Sequence, residues 1–167
     1  MRGMGYGLLL LLTAALAGCG SSSAPSSAPP TTTAAAKHSS AVLVTTGKAN
    51  VHGKESTVLV TGQGRTLYYF TKDHGATSAC TGSCTSLWHP LLASHGTVKA
   101  GTGITGKLTV VKDANGQQVS YNGHLLYQYS GDGKAGQAKG EGLLKEWWVA
   151  TPSLGAASGG SSGSGGW

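Results

Sequence analysis

Between Val42 and Leu154 the chain sets apolar and polar residues in short alternating runs separated by turn residues. LTVVKD, a turn at Ala114-Asn115-Gly116 and QQVSY make a hairpin pattern, because Asn-Gly supplies the positive φ that a tight turn takes. HLLYQYS alternates and is rich in aromatics, so it reads as a third strand, and WWVATP reads as a fourth. Upstream, STVLVT, a turn at Gly62-Gln63-Gly64, TLYYFT and the segment around Trp88 follow the same order. No stretch carries a helical period capped at both ends. The pattern predicts an all-β domain, two tandem antiparallel meander repeats that share one small sandwich or barrel with approximate twofold symmetry.

The two sets of strands are copies. Gly47, Lys48, Val51, Val60, Gly64, Leu67, Tyr68, Asp73, Ala76 and Trp88 are among the residues that recur 59 positions further on in an ungapped window of 44 (47–90 against 106–149). Tyr68, Phe70 and Asp73 return as Tyr127, Tyr129 and Asp132, and Trp88 as Trp147. With side chains alternating along a strand, Tyr68 and Phe70 share one face with their counterparts while Tyr69 looks the other way. Each Trp stands 15 residues past its Asp, which lets the chain turn and come back beside the same strand.

The ends of the chain have another character. Met1 to Gly18 carries one early charge, Arg2, then the apolar run Leu8 to Leu12 and small residues, the layout of a secretory signal too short to stay in a membrane. Leu16-Ala17-Gly18-Cys19 has the form of a bacterial lipobox, which makes Cys19 the expected lipidation site, with acyl chains such as palmitate. Residues 19–41, rich in Ser, Ala, Pro and Thr, have no means of building a core and read as a tether reaching on the order of 70 Å. Residues 155–167 read as a Gly/Ser tail, with Trp167 unexplained. The expected place is the extracytoplasmic face of a cell membrane, held by the lipid. The net charge of +6 then suits anionic headgroups or wall polymers, and no nucleic-acid motif accompanies it.

Few residues offer chemistry. Cys80 and Cys84, the thiols left once Cys19 is lipidated, read first as a disulfide in an oxidising compartment. The other reading is copper, zinc or redox chemistry with His74, His89 and His95 nearby, although Cys-x-x-x-Cys lacks the usual zinc spacing. Asp73 and Asp132 raise the idea of paired catalytic carboxylates, but the glycines beside them favour turn-capping. The aromatics read as core, with each Tyr hydroxyl left wet; Tyr69 and Trp148, which point away from the repeated face, are the residues for a ligand surface such as a wall glycan.

Tyr68-Tyr69-Phe70-Thr71-Lys72-Asp73, its echo at 127–132, the lipobox and the Cys-x-x-x-Cys followed by Trp resemble the bacterial predicted lipoproteins with a Yx(F/W/Y)xxD motif, a secreted repeat of unknown function. The resemblance covers nearly all of the folded region and implies secretion and duplication, not an assigned activity. Where similar chains read Trp-Pro-Pro after the second Cys, this one has Trp88-His89-Pro90. The expectation is a non-catalytic binding or interaction module at the cell envelope that needs no cofactor, with a wall polymer or envelope protein as partner. A metal or redox accessory and a structural envelope component remain the other readings.

Overall fold

The computed structural model describes residues 41–93 and 95–157; the signal-like segment, Cys19, nearly all of the tether, Ser94 and residues 158–167 including Trp167 lie outside the described residues. Ten strands run in chain order: β1 (Val42–Val51), β2 (Lys54–Thr61), β3 (Tyr68–Phe70), β4 (Trp88–Pro90), β5 (Val98–Ala100), β6 (Leu108–Asp113), β7 (Gly116–Tyr121), β8 (His124–Leu125), β9 (Tyr127–Tyr129) and β10 (Trp147–Val149). Two short 3₁₀ turns, Gly82–Ser86 and Leu143–Lys145, are the helical pieces among the described residues. The all-β expectation holds, in three sheets and without a closed barrel: β2-β1-β5, β10-β3-β9-β4 and β6-β7-β8. No helix among the described residues is long and apolar enough to cross a membrane.

The hairpin of each copy is set by its turn. His52 and Gly53, with φ of 50° and 81°, close β1 on β2, and the Asn50 carboxamide oxygen accepts the Gly53 N–H at 2.8 Å. In the second copy the Ala114-Asn115 turn joins β6 to β7, and Gly116 takes a φ of 119°. The constant offset of 59 does not extend through these hairpins. Leu59 N–H donates to the Ala150 carbonyl and Val119 N–H to that of Leu91, while Leu59 and Val119 carbonyls accept from Leu67 and Leu126. Leu59, not Val60, is therefore the counterpart of Val119, because the Gly62-Gln63-Gly64 turn holds one residue more than the Asn122-Gly123 turn. Toward the hairpin turn, six residue pairs follow from Leu59–Thr46 in the first copy and four from Val119–Val110 in the second.

HLLYQYS is not one strand. It divides at Leu126 into β8, which completes the sheet of its own hairpin, and β9, which enters the four-stranded sheet. That sheet also corrects the expected return of each Trp strand. β4 of the first copy pairs with β9 of the second, and β10 of the second pairs with β3 of the first. At the centre Tyr68 stands opposite Tyr127, and an approximate twofold passes between them. The copies exchange their last strands, so neither meander is closed by its own residues.

The sheet separates two cores, as alternation requires. Tyr68, Tyr127, Trp88 and Trp147 fill one with Val58, Val60 and Leu125, with Phe70 and Tyr129 packed against it. Leu59, Leu67, Leu91, Val119, Leu126 and Ala150 fill the other, with Tyr69 against it. The outer strands of this sheet are protected in two ways. Pro90 on β4 has no N–H to leave open, and at the equivalent place on β10 the Val149 N–H donates to Glu141 Oε2 at 2.6 Å.

Candidate functional site

The eight repeated residues of the motif meet around the twofold. Tyr68 Oη donates to Asp132 Oδ2 at 2.6 Å, and Tyr127 Oη donates to Asp73 Oδ2 at 2.9 Å, so each copy's tyrosine is received by the other copy's aspartate. The second oxygen of each aspartate holds its own loop: Asp73 Oδ1 accepts the Ala79 N–H and Asp132 Oδ1 the Lys139 N–H, both at 2.8 Å. Turn-capping is thus half of what these aspartates do. The tyrosine hydroxyls are not wet; Tyr68 and Tyr127 are fully buried. Between the clasps Trp88 and Trp147 stack; Phe70 continues the stack on Trp147, and Tyr129 packs against Trp88 with its ring tilted by 35°. Tyr68 meets Trp88 edge-on at 5.4 Å and Tyr127 meets Trp147 edge-on at 5.2 Å.

The two clasps have different surroundings. Tyr68 Oη accepts the Gly140 N–H at 3.2 Å, and a Cβ at Gly140 would lie 2.7 Å from the Trp88 ring and 2.9 Å from that of Tyr68. Tyr127 Oη lies instead 2.7 Å from Ser78 Oγ, which accepts from Asn115 Nδ2 at 3.0 Å; Asn115 also donates to the Cys80 carbonyl and to Gln118 Oε1, and Gln118 Nε2 donates to the Leu126 carbonyl. Asp132 is buried, whereas Asp73 is half-buried. Burial and the neighbouring charge of Asp113 push the Asp73 carboxyl up to about 6, against the pull of the Ala79 N–H, the Tyr127 hydroxyl and His74. Burial first, and then Asp132 or Asp73, hold the Tyr68 and Tyr127 hydroxyls well above the ordinary phenol range. Asp113 Oδ2 is buried without a partner. Sequence reasoning missed Ser78, Asn115, Asp113 and Gln118 as one network; Asn115 had shown itself only as a turn residue.

Tyr69 and Trp148 come together. They are register partners across β3 and β10, both half-buried, on the face opposite the Trp stack. Tyr69 leans on the His124 ring at 4.8 Å, and burial and the charge of Glu141 raise its hydroxyl. A Cβ at Gly142 would sit 3.9 Å from both the Trp148 ring and His52 Nε2; His52 in turn lines an open groove of about 380 Å³ with Asn50, Lys139 and Glu141 in its walls. At the symmetric place in the sheet the pair is Gln128 and His89. The copies agree on the clasp and differ here.

Cys80 and Cys84 are joined as a disulfide, their Cα atoms 5.3 Å apart. Because Ala79 and Lys139 make the same bond to their aspartates, the counterpart of Cys80 is Gly140 rather than Lys139. His74 is held in a local bridge with Thr77, and His89 is exposed on β4. Among the described residues no three His, Cys, Asp or Glu side chains gather as a metal site.

The comparisons fit this geometry. The family model Lipoprotein_15, a secreted repeat of unknown function, matches residues 50–92 and 109–151, one match on each copy. No curated protein and no solved structure matches the chain. With more than half of its residues matched and both copies found, the chain belongs to this family of secreted repeats.

Proposed function

We propose that the chain is a lipid-anchored, extracytoplasmic binding module whose repeated aspartates carry no catalysis, and that the Tyr69–Trp148 face holds a glycan of the cell envelope. The observation that carries the reading is the contrast between the copies. Tyr68, Phe70, Asp73 and Trp88 are kept or conservatively matched in both because they build the fold, while the equivalent outward pair is aromatic on one side and Gln128–His89 on the other. An indole near His52, with Asn50 and Glu141 in the groove that His52 lines, offers what a sugar ring takes, an apolar face for stacking and polar groups for its hydroxyls. Catalysis by the repeated aspartates is disfavoured because both oxygens of each are engaged. The anchor is supported by Leu16-Ala17-Gly18-Cys19, and the secreted family description agrees with an extracellular place.

The test is retention of the purified ectodomain on peptidoglycan with its linked polysaccharide. Trp148→Ala weakens retention several-fold while the domain still unfolds in one cooperative thermal transition. Equal retention of the variant, or none of the parent chain, removes the glycan reading.

A further inference from the structure

We propose that Cys80–Cys84 is a working dithiol–disulfide couple that exchanges with protein dithiols outside the cytoplasm, a second activity placed on the loop that only the first copy carries with cysteines. The two sulfurs are unequally presented. Cys80 is fully buried in the aromatic core, whereas Cys84 is partly exposed on the Gly82–Ser86 turn. That turn has no acidic residue in its first part, and the neighbouring Leu87 is 47% exposed, so an incoming thiolate meets no like charge there and finds an apolar contact beside its target.

The fold does not depend on the bridge. The second copy builds the matching loop with Gly140 in place of Cys80, and its Trp147 enters the same stack as Trp88. The first loop is also tied down without the sulfurs. Asp73 holds Ala79, Ser78 Oγ lies on Tyr127, Cys84 N–H donates to the Thr81 carbonyl, and Leu87 N–H donates to that of Cys84. A five-residue loop also gains less from closure than a long one. The loop can therefore open and close its disulfide while the domain stays folded.

The step balances as ordinary exchange. One thiolate of the partner attacks Cys84 Sγ, the Cys80–Cys84 bond breaks, and Cys80 leaves as a thiolate that takes up a proton. The partner's second thiol then attacks its own sulfur in the mixed disulfide, Cys84 leaves, and two electrons have passed from the partner dithiol to this chain. A disulfide oxidant of the same compartment returns the couple to its starting state.

The experiment uses the full chain with Cys19→Ser, so that two thiols remain, and dithiothreitol as the dithiol probe under native conditions. Pulse alkylation with peptide mapping is expected to find Cys84 labelled at least tenfold faster than Cys80. The wavelength of the tryptophan emission maximum should stay unchanged, and oxidised glutathione should restore the disulfide mass over repeated cycles. Cys80→Ala is expected to trap Cys84 as a one-to-one mixed disulfide with glutathione. Release of the thiols only in step with denaturant unfolding, equal labelling of the two cysteines, or failure to reoxidise would overturn the proposal and leave the bridge a staple.

Discussion

Trp88 and Trp147 lie face to face, their ring centroids 3.7 Å apart and their planes 2° from parallel, although they belong to different repeats. The arrangement follows from strand exchange. β4 and β10 bring the two indoles to the twofold from opposite sides; Phe70 at 4.1 Å extends the stack, and the tilted ring of Tyr129 closes its other end at 4.6 Å. Each repeat supplies half of the core and cannot complete it.

Two indoles this close couple electronically, so the far-UV CD spectrum is expected to carry an exciton couplet. Trp88→Phe or Trp147→Phe alone removes the whole couplet rather than half of it. The corresponding Ala variants lose about 3–5 kcal/mol of stability, the usual cost of emptying an aromatic site in a packed core. A couplet that survives either Phe variant contradicts the stack.

The clasps predict which pairs of substitutions interact. Tyr68→Phe leaves Asp132 buried with Oδ2 lacking its donor, at a cost of about 1–3 kcal/mol. Tyr127→Phe costs less, because Asp73 is half-buried and water can replace the phenol. In denaturant titrations Tyr68→Phe couples with Asp132→Asn and is additive with Asp73→Asn, although Asp73 is the aspartate of its own repeat. The reverse pattern of coupling means that the repeats close on themselves.

Asp73 makes the domain more stable in mild acid. Its carboxyl is raised from an ordinary value of 3.8 to about 6, so the folded chain binds a proton that the unfolded chain does not hold between those values. The stability from this proton is fully present below the lower value and is lost as the pH rises through the higher one. The melting temperature is therefore expected to rise as the pH falls from 7 to 5. Asp73→Asn, which keeps the shape and loses the charge, flattens that slope; an unchanged slope assigns the effect to another group.

Much of this could be read from residue order. The alternation at Tyr68-Tyr69-Phe70 told which ring faces which core, Asn115-Gly116 marked its turn, and the echo of the motif marked a duplicated all-β domain. What the order concealed was partnership. The pattern Tyr-x-Phe-x-x-Asp is the same whether Tyr68 bonds the aspartate five residues away or one 64 residues away, and local spacing favours the first. Strand exchange is decided by the joint packing of two indoles and two phenols, which no single repeat contains. The constant offset was likewise misleading at Val60, where a turn longer by one residue moves the register without disturbing the matching letters. The network of Ser78 with Asn115 and Gln118 was illegible because Ser78 comes from a separate segment and reaches the other two only when β7 and the disulfide loop are folded together.

The exchange of strands is open to direct measurement on a chain cut between its repeats. A protease site inserted after Gly96, which is exposed between β4 and β5, lets the folded protein be cleaved into its two halves. Each half then holds strands that pair with the other, so the cleaved protein is predicted to run in light scattering at the mass of the uncut chain, keep its tryptophan couplet, and come apart only in denaturant. Two separate species, each with its own β-sheet CD signal in native buffer, would show that the repeats are independent folds.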